Sequence, residues 1–321
     1  MPAVVRGAAL TLMVASGLAA AASPQASSYR GACDASAADA LDAEHFVVAS
    51  DEDNMLRIYR RGHPAPVGSV DLAAFLGTKK GEESDIEGAA RIGAHIYWIA
   101  SHGRNASGEA RPARARLFAT HSQAGDPPSV TAAGTPYSAL LDDLTSSAAL
   151  ARYRLDVAAR RAPEADGGLN IEGLAATPEG ALLIGFRSPL VQQRALIVPL
   201  TNPADVIAGR RARLGTPIEL YLGGRGIRDI ARAGDGYVIV AGPTGDAGKF
   251  ALYRWSGDAM AAPVEMTAVD IDGFNPEAIF AIPGASQLQL LSDDGGVKVG
   301  GVECKKLPKK QRAFRSLIFT P

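Results

Sequence analysis

Short apolar runs separated by polar turns dominate this chain, and several of them do not alternate. Phe46-Val47-Val48-Ala49, Ile96-Tyr97-Trp98-Ile99-Ala100, Ala181-Leu182-Leu183-Ile184 and Tyr237-Val238-Ile239-Val240 are continuously apolar. A sheet with one face in water gives strands of alternating polarity, so runs of this kind predict strands buried on both faces. Each is followed by a polar loop and a further strand, at Leu56 to Arg60, Arg116 to Thr120, Arg194 to Pro199 and Phe250 to Trp255, and an equivalent strand stands at Ser316 to Thr320. A fourth strand is legible at Val67 to Leu72 and at Thr216 to Leu222. Four-stranded sheets packed radially, each between two others, satisfy this pattern. The chain reads as an all-β protein, a β-propeller of five four-stranded blades.

The innermost strands open on a repeated phrase. It reads Asp85-Ile86-Glu87-Gly88-Ala89-Ala90, Asn170-Ile171-Glu172-Gly173-Leu174-Ala175 and Asn275-Pro276-Glu277-Ala278-Ile279-Phe280. A further copy, Gly226-Ile227-Arg228-Asp229-Ile230-Ala231, carries arginine where the others carry glutamate. The first repeat, Cys33-Asp34-Ala35-Ser36-Ala37, lacks the glutamate. Second strands end at Ser50, Ser101, Phe186, Gly242 and Ser292, with intervals of 51, 85, 56 and 50 residues. The long interval predicts an insertion, 121–168, in which Leu140, Leu141, Leu144, Ala148, Leu150, Tyr153 and Val157 follow a helical period. The last blade ends after its third strand, so Ser23 to Gly31 is placed to supply the fourth.

The termini change this picture. Residues 1–22 hold a single charge, Arg6, ahead of an apolar run ending at Ala20-Ala21-Ala22, the pattern of a cleaved export signal. The reading is a signal peptide followed by one propeller domain over 23–321, periplasmic or secreted, with no integral membrane span in the mature chain. In an oxidising compartment Cys33 and Cys304 are expected to pair. Net charge is −1, which gives no general attraction to nucleic acid.

In a propeller the loops entering the first strand and leaving the second open on one rim, so two sets of polar residues converge there. Glu87, Glu172 and Glu277 repel one another unless neutralised. A hard cation is one solution, and Ca²⁺, with Asn170 and Asn275 as further oxygen donors, is the candidate cofactor. Arg228 is a second, pairing with two carboxylates and leaving no metal. Bracing of neighbouring strand amides by the glutamates is a third. His102 and Glu172 are candidate acid–base groups, and Arg104, Arg187, Arg228 and Asp293 candidate ligand contacts, the arginines suiting a small anionic ligand or substrate. No G-x-S-x-G, H-E-x-x-H or C-x-x-C occurs, and the glycine-rich stretch at Gly245 to Lys249 lacks the first glycine and the hydroxyl of a P-loop.

Several of these phrases, with Ser101-His102-Gly103-Arg104-Asn105, Gly223-Gly224-Arg225-Gly226-Ile227-Arg228, Ala251-Leu252-Tyr253-Arg254-Trp255 and Leu290-Leu291-Ser292-Asp293-Asp294-Gly295, resemble a bacterial family known only as domain of unknown function 3616. The resemblance spans nearly the whole mature chain and implies no activity. More distantly, the Glu-Gly openings are similar to those of phytase-like esterase and calcium-dependent lactonase propellers, which place a metal or phosphate at the funnel. Arg228 and the blade number depart from those families. Two functions stay open: a metal-dependent hydrolase of small anionic esters, phosphoesters or lactones, and a non-catalytic ligand- or partner-binding propeller of the cell envelope.

Overall fold

In a computed structural model, which describes residue 1, residues 25–245 and residues 247–321, five four-stranded antiparallel blades form a ring. The expected signal peptide lies outside the described residues. The innermost strands are Ala37–Ala40, Ile86–Ile92, Asn170–Ala176, Gly226–Ala233 and Pro276–Ala281, in blades 1 to 5. Each pairs with a second strand: His45–Ala49, His95–Ala100, Leu182–Ser188, Gly236–Gly242 or Leu288–Ser292. These second strands are almost wholly buried, as their unbroken apolar character predicts.

The core is divided among the five seams between blades. Ile99, Leu174 and Phe186 help fill the seam between blades 2 and 3, and Ile197, Ile227 and Trp255 the seam between blades 3 and 4. Val240, Ile279 and Phe319 lie between blades 4 and 5, and Val47, Trp98 and Phe118 between blades 1 and 2. The last seam is aromatic: Tyr29 lies 5.0 Å from Phe46 and 5.6 Å from Phe314, ring centre to ring centre.

That seam is where the ring closes. Gln25–Arg30 pairs with the C-terminal strand Ala313–Phe319, so the N-terminal segment supplies the outer strand of blade 5. The Tyr59 hydroxyl donates to the Arg30 carbonyl at 2.8 Å, and Cys33 is bonded to Cys304 with their Cα atoms 5.9 Å apart. The disulfide is compatible with export to an oxidising compartment. Among the described residues no helix is long and apolar enough to cross a membrane.

Part of the 121–168 stretch belongs to a blade. Ser129–Tyr137 is the outer strand of blade 2, so the helical excursion begins only after Tyr137. Its helical segments, Leu140–Ser146, Ala148–Tyr153 and Leu155–Ala158, bury Leu140, Leu144, Leu150, Tyr153 and Leu155 against blades 2 and 3. The loop after them brings Pro163 and Glu164 to the funnel rim.

Candidate functional site

The repeated charged residue sits at a break in strand pairing. In blades 2 to 5 the register of the inner pair shifts between Ile86 and Gly88, Ile171 and Gly173, Ile227 and Asp229, and Pro276 and Ala278. The residue left over is Glu87, Glu172, Arg228 or Glu277. A bulge of this kind re-aims a side chain out of the alternating pattern, here into the central funnel. The glycine after the charged residue in blades 2 and 3 lets adjacent blades approach. A Cβ on Gly88 would lie 2.6 Å from the carbonyl oxygen of Glu172, and one on Gly173 would lie 2.6 Å from Ile227 Cγ2.

The bulge residues line a cavity of about 650 Å³ together with Asp51, Asp85, Arg114, Asn170, Arg187 and Asp293. Asn275, at the exposed rim, donates to the Asp293 carbonyl at 3.1 Å. Glu172, 2% exposed, is the most enclosed carboxylate of the group. Its Oε1 accepts from Asn170 Nδ2 at 2.9 Å and from Arg187 at 3.1 Å. Arg228 Nε lies 2.8 Å from Glu172 Oε2, but neither atom has an aligned hydrogen-bond partner, so this is a charge contact rather than a directed bond. The other end of the same guanidinium pairs with Glu277. Arg187 also donates to the carbonyls of Pro243 and Gly245, at 3.1 Å each, and so ties the 243–245 loop to the funnel.

The remaining carboxylates form an arc from blade 5 through blade 1 to blade 2. Asp85, in a left-handed backbone conformation, meets Arg114 at 2.9 Å. Glu87 has no ion-pair partner among the described residues; burial, then the charges of Asp85, Glu172 and Asp51, push its carboxyl well above the usual range. Burial, followed by repulsion from Asp85, Asp293 and Glu52, pushes Asp51 up to about 7. Asp85 is raised to about 6, again chiefly by burial, with Arg114 opposing. Asp34 lies behind this arc. Burial first, then a hydrogen bond to Asp293 and its charge, push it up to about 10, so it holds its proton at neutral pH.

Two expected site residues do not line the cavity. His102 is 4% exposed, its Nδ1 donates to the Ala100 carbonyl at 2.7 Å, and burial pushes the imidazole down to about 4. Arg104 donates to the carbonyls of Ala159 and Gly108, both at 2.9 Å, and fastens its loop to the helical excursion. Strand-end spacing put both on the correct rim, but left-handed backbone at His102 turns its ring inward.

The residue that sequence reasoning missed is Asp229. It occupies the position of Gly88, Gly173 and Ala278 in the repeat. Its carboxylate accepts the backbone N–H groups of Ile279 and Ile230 at 2.8 Å each, and that of Leu174, linking blades 3, 4 and 5. Strand bracing is thus performed by this aspartate. The signal was present: the Arg228 copy departs from the repeat at two successive positions.

The donors do not form a calcium cage. Both Glu172 and Glu277 face Arg228, and among the described residues no three carboxyl, imidazole or thiol groups gather closely enough to hold a metal ion.

Fold and funnel define a five-bladed propeller with a charged central cavity. Residues 129–287 match the family described as protein of unknown function (DUF3616), which bears out the resemblance over the phrases within that span, from Leu169 to Leu174, from Gly223 to Arg228 and from Ala251 to Trp255. The fold is also similar to that of Myxococcus xanthus glutaminyl cyclase, at 13% identity and a TM-score of 0.46, over 93% of this chain and 97% of that one. A putative oxidoreductase (glucose dehydrogenase) from Thermus thermophilus gives 12% identity and a TM-score of 0.46, over 92% and 100%. The β-propeller domain of Cps50 (Swd1) from Myceliophthora thermophila gives 13% and 0.42, over 92% and 98%. No curated protein matches the chain in sequence.

Proposed function

We propose that this chain is a ligand-binding propeller whose funnel takes a small molecule bearing positive charge. One observation carries the reading. The guanidinium groups lining the cavity are already engaged by carboxylates, Arg114 by Asp85, Arg187 by Glu172 and Arg228 by Glu172 and Glu277. Asp51, Glu87 and Asp293 line the same cavity with no ion-pair partner among the described residues. An anionic ligand would have to displace a carboxylate from an arginine, whereas a cation meets acids that no arginine pairs directly and that repel one another, a repulsion it would relieve. A cavity of about 650 Å³ is within the range that encloses small ligands.

The test is a thermal-shift screen of the oxidised protein against small molecules sorted by charge, at fixed ionic strength. Compounds bearing ammonium or guanidinium groups are expected to raise the melting temperature, and esters, phosphoesters and lactones to leave it unchanged. Stabilisation confined to anionic compounds would refute the proposal.

The hydrolase reading has support of its own in Asp51, whose raised value of about 7 suits proton transfer near neutrality. It requires turnover of an ester, phosphoester or lactone that Asp51→Asn abolishes. Binding without turnover favours the first reading.

A further inference from the structure

Building on the cation-binding reading, we infer that the ligand carries at least two separated nitrogen cations, as a linear diamine or polyamine does, lying along the arc from Asp293 and Asp51 to Glu87. These three acids come from blades 5, 1 and 2 and line one continuous cavity. They are not gathered to the point where a single ion could be held between three of them. A compact cation placed at one end would leave the other end uncompensated. A chain with charges at both ends satisfies both.

A second, independent observation comes from blade 3, the next blade beyond Glu87. Asn170 is 5% exposed and lines the cavity, and while its amide nitrogen is spent on Glu172, its carbonyl oxygen has no partner. A buried acceptor without a donor costs roughly 1–3 kcal/mol, which an ammonium or guanidinium N–H would relieve. Pro163, Pro243 and Phe250 line the same cavity and offer apolar surface to the methylenes between the charged nitrogens. Lys305 also lines the cavity, from the exposed rim. As a cation lining the cavity it opposes a cationic ligand, and its removal is expected to strengthen binding.

The experiment is isothermal titration calorimetry on the full oxidised chain at pH 8 and constant ionic strength. The probes are 1,4-diaminobutane, spermidine, n-butylamine and calcium chloride. The diamine and spermidine are expected to bind at least tenfold tighter than butylamine. Glu87→Gln and Asp51→Asn are each expected to weaken them tenfold or more, and Lys305→Met to tighten them. Both neutralising substitutions relieve repulsion between like charges, so the variants are expected to fold, and circular dichroism checks this. Equal affinity for butylamine and the diamine, tighter binding of calcium than of any amine, or unchanged affinity in both neutralising variants would overturn the diamine assignment. Absence of binding by every cationic probe would instead overturn the reading on which it rests.

Discussion

The Asp229 carboxylate accepts the backbone N–H of Ile279 at 2.8 Å, carrying a hydrogen bond from the inner strand of blade 4 to that of blade 5. In the Glu87, Glu172 and Glu277 copies of the repeat a glycine or alanine occupies this place and no side chain crosses. The amides of Ile230 and Leu174 converge on the same carboxylate. Asp229→Ala is expected to leave these donors buried and unpaired, at about 1–3 kcal/mol each, and so to lower the unfolding free energy by more than about 2 kcal/mol. Asp229→Asn keeps an acceptor and should lose less. Urea denaturation of the two variants measures the difference, and equal losses would show that the carboxylate is not the brace.

Arg228 stands between Glu172 and Glu277. Arg228→Met removes the guanidinium and leaves both acids enclosed, a change expected to cost about 3–5 kcal/mol near neutral pH. Adding Glu277→Gln in the same chain should restore part of the loss, while Glu172 keeps its contact with Arg187. The comparison is made by denaturation midpoints. Failure of the double variant to recover would place the defect in packing against Phe250, over whose ring the guanidinium sits at 5.6 Å.

The acidic arc gives the unliganded protein a signed pH dependence. Asp51 titrates near 7 in the folded chain against 3.8 as the ordinary value, so between these limits the folded state binds more protons than the unfolded state. Stability from this group is full below about pH 4 and is lost as pH rises through 7. His102 works in the opposite sense: with its value depressed from 6.5 to about 4, its contribution is present above pH 6.5 and lost as pH falls through 4. Melting temperature followed from pH 5 to pH 8 should therefore fall toward the alkaline end, and Asp51→Asn should flatten that fall. A variant curve parallel to that of the parent protein would refute the assignment.

Reduction of the Cys33–Cys304 bond frees a loop that spans a sequence separation of 271 residues. Chain-entropy reasoning sets its stabilisation at roughly 5.5 kcal/mol. Cys33→Ser with Cys304→Ser is expected to lower the denaturation midpoint, with the outer strand Gln25–Arg30 the first to exchange its amide hydrogens. Uniform loss of protection across all five blades would contradict that order.

The blades were legible because burial on both faces leaves unbroken apolar runs, and His45–Ala49 and Leu182–Ser188 keep that pattern. The disulfide and the closing strand could be read from the geometry of a ring whose two ends must meet. The site was only partly legible. The recurring glutamate marked Glu87, Glu172 and Glu277, but the pairing of Arg228 depends on which acids the bulges turn toward it, and repeat spacing does not encode that. His102 and Arg104 both follow the strand end at Ala100, but local backbone and the helical excursion turn them away from the cavity. Asp229 stands out only as a break in the repeat, an acid where the other copies have glycine or alanine, and the repeat does not encode which backbone amides that acid meets.

The seam of the ring has a further consequence. Asp51 precedes Asp293 by 242 residues, and docking of Gln25–Arg30 against Ala313–Phe319, with the Cys33–Cys304 bond, brings their two blades side by side. A nascent or C-terminally truncated chain thus carries every early acid of the arc but no arc. Ligand occupancy in this protein would certify a finished molecule, since only a closed ring has a complete place to put the ligand.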